Sequence, residues 1–325
     1  MSSRQVGSLP RVLPHNATAT VRMRQRNRSR PLPGLVPWFG GKGLQAAQLV
    51  QIVPQTSKYV EAYGGGASLL MRLQPRQVEV YNDLDGRLIN LCRVLQNRRQ
   101  NAELRRRLSL TLYSREEFRL AVQTLRRDDV APVDRAWAFY VTQVQGFSGI
   151  MRCTEGSWAS SRRPSSCEMA PRVSTWWGRV AGLADQIERF ARVQIESRCA
   201  LEVIEGHDSP ESVHYLDPPY VHSTRAKGAT KEYAHEQPDD HHRLLVELLP
   251  TVKGKVILSG YANELYRPLE RLGWIRIDRE TACHSVRVKV AATRPKRVES
   301  VWMNFTPETI PDSFCRAGES LALAA

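Results

Sequence analysis

The sequence predicts an α/β protein: a parallel sheet alternating with helices, split by a long helical insertion. Three observations support this. Strand-like and helix-like segments alternate in the first third of the chain, the alternation stops between residues 96 and 191, and it resumes afterwards as though uninterrupted. "KYVEAY" reads as a strand, the segment from Ser68 as a helix start, and "QVEVYND" as a second strand. The helix beginning near Asp85 carries Leu88, Leu91, Val94 and Leu95 on one face. This βαβ beginning implies parallel pairing. In the central stretch "SREE" at Ser114 to Glu117 is a capping box, "DRAWAFYVTQVQ" is a helix ended by Gly146, and Trp176, Val180, Leu183, Ile187 and Phe190 form a third apolar stripe. Strands return with "RVQIES", "SVHYLD", "KVILSG", "WIRIDRE" and "ESVWMNF", with helices at "DDHHRLLVELL" and "NELYRPLERLG".

The domain reading follows. Residues 1–33 hold seven arginines and no acid, a composition that cannot bury a core and is expected to be a disordered basic tail. Residues 34–95 plus 192–306 form the sheet domain, 96–191 the helical insert, and 307–325 a fraying C-terminal tail. The chain is 42% apolar and 25% charged, with no run long enough to span a membrane. Its formal charge of +14 favours a polyanionic partner, above all nucleic acid. Six scattered cysteines show no CxxC spacing, so neither a zinc site nor a disulfide framework is indicated, and reduced thiols in a cytoplasm are expected. His235, His241 and His242 with Asp239 and Asp240 read as a solvated helix start rather than metal ligands.

"VEAYGGGASLL" sets Gly64 to Gly66 between a strand and a helix, where missing Cβ atoms allow a tight turn and close ligand approach. Asp83 at the end of the second strand stands where an acid can take ribose hydroxyls. The dinucleotide fingerprint is not met, because Leu69 occupies the position that needs Gly or Ala, and no GKS or GKT is present. Glu61 before the loop would repel a pyrophosphate but suit a cation. An adenosine bearing positive charge, such as S-adenosylmethionine, fits these residues. "HYLDPPYVHSTR" then places two prolines after a strand, a stiff corner that fixes the directions of Asp217 and Tyr220.

Taken in order, four stretches resemble the DNA N6-adenine methyltransferases that include the GATC-methylating bacterial enzymes and many phage relatives. "PWFGGK" is similar to that family's N-terminal segment, "VEAYGGGAS" to its glycine loop (with Ala62 and Tyr63 in place of Pro-Phe), "YNDLDGRLINL" to its second strand, and "YLDPPYV" to its catalytic tetrapeptide. Further likeness in "LYSREEF", "GFSG", "DHHRLL", "KVILSGYANELY" and "VESVWMN" extends it over roughly residues 35 to 306. One departure stands out: Ser197, Arg198, Cys199 and Ala200 replace a pattern like Asn-Arg-Asp-Ala, so a thiol stands where the family has an acid near the donor's adenine.

The resemblance implies a Rossmann-like, S-adenosylmethionine-dependent methyltransferase sheet with a helical DNA-recognition insert. It implies transfer of a methyl group to the N6 amine of an adenine flipped out of double-stranded DNA, without a metal. Asp217 and the Pro218 carbonyl would accept the amine's two hydrogens, and Tyr220 would stack on the base. Trp38, Lys42, Glu61, Tyr63, Gly64, Gly66, Asp83, Cys199 and Asp217 would line the donor pocket, with Lys42 also bordering the base. The basic stretches "HSTRAKGATK" and "RVKVAATRPKR" offer Arg225, Lys227, Arg294 and Lys296, with Arg287, Lys289 and Arg297, to phosphates. The expected protein is a monomer in a bacterial or phage-infected cytoplasm, with restriction–modification or phage biology as settings. Alternatives are amine methylation of RNA or of cytosine N4, and a catalytically weakened DNA-binding relative suggested by Cys199.

Overall fold

The computed structural model describes residues 31–43, 45–147, 157–161, 169–220, 239–282 and 296–316. Its strands are β1 (Lys58–Glu61), β2 (Val78–Asn82), β3 (Gln194–Glu196), β4 (Ser212–Leu216), β5 (Lys255–Tyr261), β6 (Ile275–Ala282), β7 (Lys296–Met303) and β8 (Cys315–Arg316). They form one eight-stranded sheet in the order β3-β2-β1-β4-β5-β7-β6-β8. The first five pair in parallel, whereas β7, β6 and β8 pair antiparallel. The parallel expectation therefore holds for the half that carries the site, and the sheet as a whole is mixed. Order reverses between β1 and β4: the chain leaves β1 for β2 on one side, and β4 continues to β5 on the other. Such a switch point opens a crevice at the carboxyl ends of the two strands.

The central strands are buried on both faces, so their sequences alternate little. Every residue of β4 is buried, His214 included, and burial lowers that imidazole to about 4. On one face Val60, Val80, Leu216, Val256 and Leu258 pack with Trp302 against Val203, Ile204 and Leu245. Those last residues come from helices α7 (Ala200–Gly206) and α8 (Asp239–Leu248). The other face meets a helical layer. Its members, between β2 and β3, are α2 (Gly86–Gln96), α3 (Arg98–Leu110), α4 (Arg115–Leu125), α5 (Pro132–Gln145) and α6 (Pro171–Phe190). A short α1 (Ala46–Ile52) precedes β1, and α9 (Arg267–Arg271) precedes β6. No helix among the described residues is long and apolar enough to cross a membrane.

Local chemistry sets the helix ends. Asp85 caps α2 through the Arg87 N–H at 2.9 Å, and prolines begin α5 and α6. Ser114 caps α4 by accepting from Glu116 and Glu117 N–H. The reciprocal half of the expected capping box is replaced: the Ser114 N–H donates to Gln145 Oε1 at 3.3 Å, tying α4 to α5. α5 is buried along Ala136 to Gln145, which makes it the centre of the helical layer.

Three expectations are corrected. The segment from Ser68 is a series of turns rather than a helix, since Pro75 lies too close for a helix to propagate and Ala67 holds φ 54°. The predicted C-terminal tail is partly integrated: β8 pairs with β6, and Phe314 beside it is buried. His241 and His242 are buried, not solvated. His241 Nε2 meets Tyr63 Oη at 2.7 Å and His242 Nδ1 meets Tyr266 Oη at 2.8 Å.

The helical layer is locked to the sheet by a buried ion pair. Arg189 of α6 donates two hydrogen bonds to Glu79 of β2, at 2.6 and 2.7 Å, and a third to the Leu70 carbonyl at 2.9 Å. Removing one member of a buried pair leaves the other charge desolvated and costs about 3–5 kcal/mol. Arg189→Met is therefore expected to destabilise by that amount in urea unfolding, while Arg189→Met with Glu79→Leu recovers most of the loss.

Candidate active site

Registry across β1 and β4 builds the site. Lys58 stands opposite Ser212 and Glu61 opposite Tyr215, so the residues just past each strand, Ala62 to Gly66 and Asp217 to Tyr220, emerge side by side. Together with residues 38–42 and 82–85 they line one cleft. Asp217 and the glycine turn, far apart in sequence, thus share a cavity.

The glycine turn is shaped by the protein's own groups. A Cβ on Gly64 would sit 2.1 Å from the Tyr81 ring, and one on Gly65, at φ +48°, would meet Trp38 at 2.7 Å. The expected reason for glycine here, ligand approach, is thus joined by a packing reason. Asp83 ties the turn down: one oxygen accepts from the Gly65 N–H and the other from the Asp85 N–H, each at 2.8 Å. Asn82 holds its flank by donating to the Ala62 and Arg198 carbonyls and accepting from the Arg198 N–H.

A second clamp lies above the turn. Leu35 N–H donates to Gly66 O, while Arg179 and Gln186 of α6 donate to the carbonyl of Gly34, and Gln186 also to that of Pro33. This seats Trp38 against the glycines, with its ring edge-on to Phe139 at 6.4 Å. It also carries Lys42 inward. Lys42 is 5% exposed, its Nζ lies 3.1 Å from Asp217 Oδ1, and it donates to the Tyr220 hydroxyl. Burial alone would lower this ammonium, but Asp217, Tyr220 and Glu299 outweigh it and raise Lys42 well above the ordinary lysine range.

Asp217 is raised by burial, against the pull of Lys42 and a hydrogen bond from Ser259. Glu61 is raised further, first by burial and then by the nearby Asp217 charge. The Leu70 N–H donates to Glu61, but its Oε2 has no hydrogen-bond partner among the described residues. Four acids line the cleft. Asp83 has backbone donors, Asp85 has Arg87, Asp217 has Lys42, and Glu61 is left with a buried oxygen that accepts no hydrogen bond among the described residues. A cationic ligand would supply what that oxygen lacks.

Most expected pocket residues are therefore brought together: Trp38, Lys42, Glu61, Tyr63, Gly64, Gly66, Asp83, Asp217, Pro218 and Tyr220 all line the cleft. Cys199 does not. It holds the N-cap position of α7, half-buried and with no side-chain cap bond, and its neighbour Ala200 forms the wall instead. Tyr63 offers its ring, since its hydroxyl is taken by His241. Lys42 is turned into the cleft rather than toward a surface. Arg225, Lys227, Arg287, Lys289 and Arg294 lie outside the described residues, as do the side chains of Lys296 and Arg297. No group of three or more metal-ligating side chains occurs among the described residues.

Sequence reasoning missed Ser259, Tyr261 and Glu299. Tyr261 packs on Tyr220 with ring centroids 4.3 Å apart, and Gln45 of the segment after Lys42 donates to Glu299. The signal was present in principle, because β5 pairs with β4 and its carboxyl end must open on the same crevice.

None of the curated proteins matches the chain. The family of D12 class N6 adenine-specific DNA methyltransferases matches over residues 38–281, which takes in the Trp38–Lys42 segment, the glycine turn, the helical layer and the Asp217–Tyr220 corner. A mixed α/β sheet with its crevice at the β1/β4 switch point is the Rossmann-like arrangement such methyltransferases use, and the chain belongs to the D12 class N6 adenine-specific DNA methyltransferase family.

Proposed function

We propose that the cleft binds S-adenosylmethionine together with an adenine turned out of double-stranded DNA, and that Asp217 and the Pro218 carbonyl hold the adenine amine for methylation. The observation that carries this reading is the buried, unpartnered Glu61 oxygen in the same cleft as Asp217. The donor, when bound, supplies an electrophilic methyl group on a sulfonium. Glu61 pairs with the donor's positive charge, Asp83 takes the ribose hydroxyls, and Trp38, Tyr63, Gly64 and Gly66 wall the nucleoside.

The adenine amine is a weak nucleophile because its lone pair is delocalised into the ring. Two acceptors on its two hydrogens draw the nitrogen toward tetrahedral geometry and free that pair. Asp217 and Pro218 do this from a corner that two prolines hold rigid, so little reorganisation is needed at the moment of reaction. Tyr220, backed by Tyr261, offers one face to the extruded base, and such stacking is worth about 1–3 kcal/mol. Lys42, 3.1 Å from Asp217, favours the ionised form in which that carboxyl is an acceptor. The helical layer of residues 96–191 reads the target sequence, and Arg225, Lys227, Arg294 and Lys296 hold phosphates. The protein acts as a monomer in a bacterial or phage-infected cytoplasm.

Incubation with unmethylated duplex and a methyl-labelled donor, followed by digestion to nucleosides, is expected to yield labelled N6-methyladenine; labelled N4-methylcytosine would overturn the assignment. Asp217→Ala should lower transfer by at least about 100-fold, with donor affinity by equilibrium dialysis little changed. Substantial turnover in that variant would remove Asp217 from the role given to it.

Glu61 yields a pH prediction. Its pKa in the empty cleft is raised, so protonation there persists above the usual carboxylate range, while a bound cation favours the ionised form. Donor affinity is expected to rise as pH rises through that raised value, with a proton released on binding that calorimetry in buffers of different ionisation enthalpy detects. Glu61→Gln should weaken donor binding about tenfold or more, as for loss of a charged hydrogen bond, and flatten the pH dependence.

A further inference from the structure

We infer that His241 is a positioning residue for donor binding: it holds the Tyr63 ring in place as a wall of the cleft. This rests on the cleft taking S-adenosylmethionine. Tyr63 follows β1 directly and precedes the glycine turn, so the sheet sets its backbone, but its side chain must still settle among staggered rotamers. Tyr63 lines the cleft, whereas His241 is not among the lining residues and acts only through it.

Two contacts hold the ring. Tyr63 Oη and His241 Nε2 lie 2.7 Å apart. The imidazole also stands edge-on to the phenol, with ring centroids 5.9 Å apart and planes at 89°. The hydrogen bond fixes the tip of the tyrosine, and the perpendicular ring fixes its tilt about the Cβ–Cγ axis. Burial lowers the His241 imidazole, which is therefore neutral at neutral pH. Either neutral tautomer makes the bond, because a phenol both donates and accepts.

The helix that carries His241 is anchored separately. In the first turn of α8, His242 Nδ1 meets Tyr266 Oη at 2.8 Å, and Tyr266 packs edge-on to Trp302 at 4.9 Å. Leu245, one turn on, belongs to the core on that face of the sheet. Tyr63 packs against the same core and also lines the cleft. The bond therefore joins a fixed post to a pocket wall, 178 residues apart in sequence. A ring already held where the ligand needs it spares part of the ordering cost of binding, so the effect falls on donor affinity and not on the methyl-transfer step.

The test measures donor Kd by equilibrium dialysis, donor KM, kcat and Tm. His241→Phe keeps an aromatic edge and removes the bond, Tyr63→Phe removes it from the other side, and His241→Gln returns a polar group near the place of Nε2. Donor Kd and KM are expected to rise about fivefold in each phenylalanine variant, as for loss of one hydrogen bond. Because both changes delete the same bond, the double variant should also lose about fivefold and not about 25-fold. His241→Gln should recover most of the affinity, and kcat at saturating donor should hold in the His241 variants. A lowered Tm with donor Kd unchanged would make His241 a core residue alone and overturn the proposal. Losses that multiply in the double variant, or a fall in kcat at constant KM, would overturn it too. A wild-type protein that binds no donor would sink the donor reading itself, whereas wild-type binding with unaffected variants sinks only this inference.

Discussion

The ammonium of Lys42 stands 3.1 Å from Asp217, almost wholly removed from water. Much of the surrounding structure can be understood as what it takes to keep it there. A buried ion pair repays its desolvation only if its geometry is held and its remaining hydrogen-bonding capacity is met. Ser259 and Tyr220 meet that capacity for Asp217 and Lys42 respectively. Geometry is held from outside: Gly34 and Pro33 are gripped by Arg179 and Gln186 of α6, and α6 is itself fixed to β2 through Arg189 and Glu79. The helical layer thus supports the cleft directly, whatever else it does with DNA.

The sheet supplies the second half of that support. β1 and β4 are parallel neighbours whose connections run in opposite directions, so neither carboxyl end is covered by its own crossover. Acids from both ends can then meet in one crevice. β5 and β7 back the lining residues, with Ser259 bonded to Asp217, Tyr261 packed on Tyr220 and Glu299 near Lys42, and antiparallel pairing sets Tyr261 opposite Glu299. The antiparallel strand β7 thus brings the Glu299 carboxylate near Lys42, where it favours the charged ammonium.

What the sequence disclosed depended on how local each feature is. The Asp217–Tyr220 corner, the glycine turn and the buried stripe Leu88, Leu91, Val94 and Leu95 are readable because each is set by residues within a few positions. The segment after Ser68 misled because its apolar run is buried by tertiary contacts rather than by helical periodicity. His241 and His242 looked solvated because their partners, Tyr63 and Tyr266, lie 178 and 24 residues away. Glu299 and Ser259 could be placed beside Asp217 only once the strand order was known. Cys199 stands at the start of α7, where its neighbour Ala200, not Cys199 itself, lines the cleft.

The proposed chemistry asks Asp217 to accept a hydrogen from the substrate amine while it already accepts from Lys42 and Ser259. These demands are compatible, because a carboxylate offers about four lone-pair sites on two oxygens and Lys42 is seated on Oδ1. Burial alone would favour the protonated acid, which presents a donor where an acceptor is required. The adjacent ammonium opposes that shift, and Glu299, bonded to Gln45 three residues beyond Lys42, stabilises the ammonium in turn. Lys42 on this reading does not transfer a proton. It favours the charge state of the group that orients the nucleophile, and the buried Glu61 carboxyl, whose Oε2 lacks a hydrogen-bond partner among the described residues, is left to the incoming donor.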